Sequence, residues 1–297
     1  MVQDLRAICL LIYGEDIRIL LIMTLLLGYN PAFLGSEITF PALSSDGQKD
    51  AYHASDSPYL HYMHFSLALS MSRRLAYWVA WNIDGSRLNQ KVGRTGKSFR
   101  LDRRVGRKYQ VGNRFYTNNM LDRGHLARHE DVVWGEDEEA EQASSDSFLF
   151  TNIAPQAQDF NQSKQGGLWG ELENAALEVT INQRMSCFAG PIFQANDRVY
   201  GTEKDQIRIP SKFFKILVYK KGDQLTTKAF VLSQNLANLL PRGLEKFAVF
   251  EKTLSDIEAA GFLTFPMILK KSQTSTLRGA GPALSNRPIE SLSEIRW

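Results

Sequence analysis

Leu121-Asp122-Arg123-Gly124-His125 is followed by Thr151-Asn152-Ile153-Ala154-Pro155-Gln156, then Phe160-Asn161-Gln162, then Trp169-Gly170-Glu171-Leu172-Glu173. These four segments decide how the chain is read. The first has the length and spacing of an extended strand, which puts Arg123 and His125 on one face. The run 147–152 reads as a buried strand. The last segment opens an amphipathic helix, because Leu168, Trp169, Leu172, Ala175, Ala176 and Val179 recur at i, i+1, i+4, i+7, i+8 and i+11. Any one of the polar residues alone is most simply a surface group on a loop, strand or helix. The ordered set gathers an imidazole, a guanidinium, carboxamides and a carboxylate, and such groups can activate water, hold a hard cation and neutralise a phosphate.

Outward from this window, 63–69 and 77–81 have strand length and composition, and Asp84-Gly85 supplies a turn after the second. Segments 186–193, 206–209, 213–219 and 226–232 read as further strands, and 255–260 as a short helix. The order β, β, loop, β, α, then several strands predicts an α+β fold with a mostly antiparallel central sheet and flanking helices. The Gly- and Arg-rich stretch 85–120 has neither period, as long functional connections often do. Three regions are expected: an apolar N-terminal segment over 1–27, one catalytic domain over 28–270, and a linker and tail over 271–297. The run 17–27 is strongly apolar, but eleven residues are too few to span a bilayer, so no integral membrane span is expected. A signal-peptide core and a buried helix both fit it, and compartment is left open.

Bulk composition excludes little. The chain has 297 residues, 43% hydrophobic and 23% charged, with a net charge of +3. Charge distribution is more telling. Between 87 and 128 twelve Lys or Arg face two acids, whereas 129–163 carries nine acids and no Lys or Arg. A basic block beside an acidic one suits an anion-binding face next to a solvated acidic loop at 136–141. Two cysteines, Cys9 and Cys187, make neither a metal motif nor a disulfide framework.

Phosphodiester hydrolysis needs a nucleophilic water, charge stabilisation at phosphorus and help for the departing alkoxide. His125 is the expected general base. His53, His61, His64 and His129 read as structural. Arg123 can clamp a phosphate through paired hydrogen bonds. Gly124 permits close approach or unusual dihedrals, Asp122 orients the loop, and Asn152 holds the local backbone. Asn161 is the expected metal ligand, since one carboxamide oxygen plus waters suits Mg²⁺ (or Mn²⁺ in its place). Glu173 would accept hydrogen bonds from the waters on the ion. Without a Cys/His cluster, zinc is disfavoured.

These motifs resemble those of the DNA/RNA non-specific endonucleases, of the Serratia nuclease and endonuclease G type. The carrying residues are Asp-Arg-Gly-His at 122–125, Thr-Asn-Ile-Ala-Pro-Gln at 151–156, Asn-Gln at 161–162 and Trp-x-x-Leu-Glu at 169–173. Gly-Tyr-Asn-Pro-Ala-Phe-Leu-Gly at 28–35, Asn-Ile-Asp-Gly at 82–85 and Gly-Pro-Ile-Phe at 190–193 are similar to the bacterial branch. The resemblance implies a ββα-metal (His-Me finger) site, a divalent cation, and cleavage of DNA and RNA with little sequence preference, leaving 5′-phosphates. It assigns water activation to His125, the metal to Asn161, phosphate support to Arg123 and the hydrated ion to Glu173. Nucleic acid is the expected partner, held by its backbone phosphates, and a homodimer is admissible.

Two departures stand out. Six residues separate Gln162 from Trp169. An unbroken helix would hold Asn161 and Glu173 about 18 Å apart at the 1.5 Å rise per residue. Either Gly166-Gly167 breaks the chain, or Glu171 is the acid. The upstream arginine of the family could be Arg94, Arg100, Arg103 or Arg104; Arg104 is favoured, with Arg128 as a further substrate contact and Phe115 and Tyr116 against sugar or base. The competing readings are a non-catalytic nucleic-acid-binding protein and a narrower phosphodiesterase on the same scaffold.

Overall fold

The computed structural model describes residues 27–54, 57–157, 168–179, 181, 183–202, 205–234, 236, 248–259, 261–274, 288, 289, 294, 295 and 297. The N-terminal apolar run up to residue 26, Asn161, the side chain of Trp169 and most of the tail lie outside the described residues.

Seven antiparallel strands form the central sheet. In spatial order they are β12 (Ala248–Glu251), β11 (Gln224–Ser233), β10 (Lys212–Lys221), β7 (Arg184–Pro191), β4 (Ala76–Asp84), β3 (Phe65–Leu69) and β2 (Leu60–Tyr62). All nine residues of β4, Ala-Tyr-Trp-Val-Ala-Trp-Asn-Ile-Asp, are buried. Residues 213–219 of β10 are buried too. Continuous apolar runs of this kind mark strands covered on both faces, which explains why period-2 alternation is weak here. The expected strands at 186–193, 206–209, 213–219 and 226–232 correspond to β7, β9 (Ile207–Ile209), β10 and β11. β9 pairs with β8 (Arg198–Tyr200), and β1 (Ala42–Leu43) with β13 (Leu263–Thr264). The fold is α+β, as expected.

Apart from this sheet, β5 (Leu121–His125) and β6 (Ile153–Ala157) form a two-stranded antiparallel ladder with His125 opposite Ile153. Pro155, opposite Arg123 in the middle of the ladder, is tolerated because its nitrogen lies on the edge of β6 away from β5, the edge on which Ala157 N and Pro155 O meet Gln234. The helices are α1 (Ser45–Asp50), α2 (His129–Val132), α3 (Asp137–Ser147), α4 (Leu168–Val179), α5 (Leu254–Glu258) and α6 (Met267–Ser272). β5, β6 and α4 supply two strands and a helix in that chain order. Among the described residues, no helix is long and apolar enough to cross a membrane.

Three expectations are corrected. The acidic segment 136–141 is not a loop. Glu136 and Glu139 close a capping box, and the acids of 137–139 occupy the first turn of α3, where the helix dipole favours negative charge. The strand read at 147–152 is displaced: Ser147 ends α3, a 3-10 turn covers Phe150–Asn152, and the strand begins at Ile153. An apolar run alone does not separate a buried turn from a buried strand. Phe115 and Tyr116 are core residues, not nucleic-acid contacts.

Candidate active site

β5 carries Arg123 and His125 to one side of the ladder, where both meet the ring of Phe99. The imidazole packs at 5.4 Å from that ring and edge-on at 5.2 Å from Phe148, while the Arg123 guanidinium lies 5.5 Å over Phe99 and 5.3 Å over Tyr116. Arg123 Nε donates to Asn113 Oδ1 at 2.8 Å, which aims the planar head group. His125 is 8% exposed, and among the described residues its buried Nε2 has no hydrogen-bond partner. An orphaned ring nitrogen is costly in a folded interior and points to a missing polar ligand.

The strand can approach its neighbour this closely because residue 124 is glycine. A Cβ on Gly124 would lie 2.0 Å from Gln156 Oε1. Space, and not a left-handed dihedral, is therefore what requires glycine here. Asp122, half-buried, sits opposite Gln156 in the register. Asn152 is fully buried and works as a backbone clamp. Its Oδ1 accepts from Ala127 N at 2.9 Å, and its Nδ2 donates to Ala127 O at 2.8 Å and Ser147 O at 3.0 Å.

Beyond His125 the chain enters a charged cluster. Arg128 Nε donates to Glu130 Oε2 at 2.8 Å, and its terminal nitrogen reaches Asn174 Oδ1 on α4 at 2.8 Å. Glu173, one residue earlier on α4, lies 3.9 Å from Arg128 Nε and accepts from Lys215 Nζ at 2.7 Å. Glu171 is half-buried; two residues along a helix turn it by about 200° from Glu173. Of the four upstream arginines, Arg94 binds Glu130 through two nitrogens at 2.8 and 2.7 Å. Arg100 is tied to Ser145. Arg103 and Arg104 line a separate cavity of about 460 Å³ with Asp102, Gln142 and Asp146. There Arg104 forks onto Asp102, donates to His61 O at 2.9 Å and lies 4.4 Å over the Tyr62 ring. The structure thus joins His125, Arg123, Arg128 and Glu173, and holds Arg104 elsewhere.

Sequence reasoning passed over Lys215, Asp131, Glu130 and Trp81. Lys215 had a visible signal, being the one charged residue inside the apolar run 213–219. Asp131 and Glu130 stand among the nine acids of 129–163, which composition alone does not divide. Asp131 is buried, accepts from Trp81 Nε1 at 3.1 Å and is pushed up to about 7 by burial, against the lowering charges of Lys215 and Arg128. Burial would also raise Glu130, but the His129 ring 3.7 Å away, hydrogen bonds from Arg94 and the nearby guanidiniums hold it far below the ordinary carboxylate range.

His125 is pushed down to about 3 by burial and by the Arg94 charge. The unfolded chain takes up that proton near pH 6.5, so the contribution to stability is complete above pH 6.5 and is lost as pH falls toward 3. At pH 4.5 the loss is on the order of 2–3 kcal/mol. Urea unfolding of wild type and His125→Gln at pH 7.5 and 4.5 measures it. The variant should lose less stability on acidification, with Asp131 common to both chains; equal losses would show that the buried imidazole is not the acid-sensitive group.

The two strands, the helix and the imidazole at the ladder's end define the ββα class of nuclease folds. The DNA/RNA non-specific endonuclease family model matches residues 43–267, and the chain belongs to this family. It is 36% identical over 222 residues to the uncharacterized protein y4fB of Sinorhizobium fredii, covering 70% of this chain and 32% of that protein. It is 26% identical to mitochondrial nuclease EXOG of Danio rerio (73% and 63% covered) and 28% identical to human mitochondrial endonuclease G (67% and 66%). The chain therefore spans about a third of the first relative and just under two thirds of the other two. The structure of EndoG in complex with EndoGI superposes with a TM-score of 0.56 at 20% identity, covering 78% of this chain and 95% of that one, a likeness of fold.

Proposed function

We propose that this protein is a divalent-metal-dependent endonuclease that hydrolyses the phosphodiester bonds of DNA and RNA with little sequence preference. The observation that carries this reading is the buried, unpartnered Nε2 of His125 beside the grouped guanidiniums of Arg94, Arg123 and Arg128.

Burial and the Arg94 charge push the His125 imidazole down to about 3, so its basic form predominates at neutral pH. A bound phosphodiester brings negative charge to the ring and raises its proton affinity in the complex. His125 Nε2 takes a proton from water as the water oxygen bonds to phosphorus. The bond from phosphorus to the 3′ oxygen breaks, the departing 3′ alkoxide takes a proton from solvent water, and a 3′ hydroxyl and a 5′ phosphate are left. Arg123 and Arg94 neutralise charge on the non-bridging oxygens, and Arg128 links β5 to α4 so that Glu173 stays in register with His125.

The donor chemistry suits a hard cation. Among the described residues no three His, Cys, Asp or Glu gather as a metal cage, while Glu173 offers a buried carboxylate that can accept from water. Asn161 would supply the direct oxygen ligand, with Mg²⁺ as the expected ion. When bound, such an ion stabilises charge on the phosphoryl and leaving oxygens. Phosphate contacts carry no base information, so this site cuts without reading sequence.

Incubation of the purified chain with plasmid DNA and with RNA tests this directly. Both should be degraded with Mg²⁺ and neither with EDTA. Raising salt from about 50 to about 200 mM should weaken substrate binding at least about tenfold, because several phosphate contacts release counterions. Degradation that persists in EDTA would remove the metal from the scheme, and binding indifferent to salt would remove the phosphate contacts.

A further inference from the structure

Lys215 has no part in the scheme above, yet it is among the most deeply buried side chains of the protein. It lies on β10 at 1% exposure, with Phe214 and Ile216 buried on either side. An ammonium group in such a place costs several kcal/mol unless it is paired with good geometry. Its partners form a layer beneath the site. Nζ donates to Glu173 Oε1 at 2.7 Å and sits 5.6 Å over the ring of Trp81. The indole Nε1 of Trp81 donates to Asp131 Oδ2 at 3.1 Å. On the other side of Glu173, Oε2 lies 3.9 Å from Arg128 Nε, and Arg128 is itself bound to Glu130 and Asn174.

The carboxylate is thus held by one oxygen from the central sheet, and its second oxygen is turned toward the arginine that follows β5. A helix side chain with several rotatable bonds would otherwise sample several rotamers. We infer that Lys215 is a positioning residue for phosphodiester cleavage: through Oε1 it fixes Glu173, so that Oε2 would be held ready to accept hydrogen bonds from the waters of a bound cation, with Trp81 and Asp131 completing the support. This rests on the reading of the site as a metal-dependent nuclease. A purely structural ion pair would contribute to stability and leave the response to the cation unchanged, whereas a positioning pair makes that response depend on Lys215. Groups that orient metal-binding side chains from behind commonly alter affinity or activity by about 10- to 100-fold when removed.

The test uses the whole chain with Lys215→Met, which removes the charge at similar volume, and Glu173→Gln alone and combined with it. Two quantities are read: the Mg²⁺ concentration giving half-maximal cleavage, and the rise in Tm produced by saturating Mg²⁺ without nucleic acid. Lys215→Met should raise the first about tenfold and reduce the second, with KM for DNA little changed. The double variant should add little beyond either single change, as expected for residues acting through one group. A Lys215→Met protein with a lowered Tm but wild-type responses to Mg²⁺ would overturn the proposal. If Lys215→Met does not fold, Lys215→Gln, which keeps a donor at that depth, is read by the same criterion. A fold that tolerates neither makes the pair structural only. Wild-type protein that shows no Mg²⁺-stimulated cleavage would sink the reading of the site itself, a different failure from unchanged Mg²⁺ responses in Lys215→Met.

Discussion

Substituting His125 by alanine is expected to lower the rate of Mg²⁺-dependent cleavage of plasmid DNA and of RNA by at least about 100-fold, the usual worth of a positioned general base. Among the described residues, His125 combines a neutral imidazole, an orphaned Nε2 and neighbouring guanidiniums. The substitution should spare the fold, because the ring packs on Phe99 and Phe148 at the end of a short ladder and not within the seven-stranded sheet. A far-UV circular dichroism spectrum matching wild type, with cleavage lost, is the anticipated pair of results. Wild-type rates in His125→Ala would exclude His125 as the base and leave the arginines to explain any activity.

Gly124→Ala is the second large effect. The added methyl would collide with Oε1, Cδ and Cγ of Gln156 at 2.0, 2.1 and 2.6 Å, and Gln156 is fully buried. Either Gln156 leaves its place or β5 moves away from β6. Overpacking of this kind costs about 1–3 kcal/mol. Moving β5 would also displace Arg123 and His125 together, so cleavage should fall more steeply than stability. Gln156 is the source of the conflict, and among the described residues its amide oxygen and nitrogen have no hydrogen-bond partners. Gln156→Ala added to Gly124→Ala should therefore recover most of the lost stability in urea titrations. If the double variant is no more stable than Gly124→Ala, the clash lies with the backbone and not with the glutamine.

The ladder and helix were legible because their signal is local. Arg123 and His125, at i and i+2 around a glycine, mark one strand face, and the apolar period over 168–179 marks a helix whatever surrounds it. The central strands were legible from their uninterrupted apolar runs. What the sequence concealed depends on packing between distant segments. Nothing near Lys215 says that it meets Glu173, and nothing in the basic loop separates Arg94 from Arg104, since only the fold sends one to Glu130 and the other to Asp102. The acids of 129–141 look alike in the sequence. Burial divides them into a protonatable Asp131, a strongly ionised Glu130 and a helix cap at Glu136. Composition treats all of them as solvated charge.

Asn152 ties three pieces of chain with one side chain: the residues after His125, the end of α3 and the start of β6. Leu126 N also donates to Asn152 O at 2.9 Å. The turn that delivers the imidazole is thus rigid before any ligand arrives. Under the proposed function, encounter with a polymer would spend little free energy on ordering that turn, and the nitrogen assigned as the base would be preorganised. Residues of the basic loop other than Arg94, Phe99 and Asn113 can then change without displacing the imidazole or the guanidinium beside it.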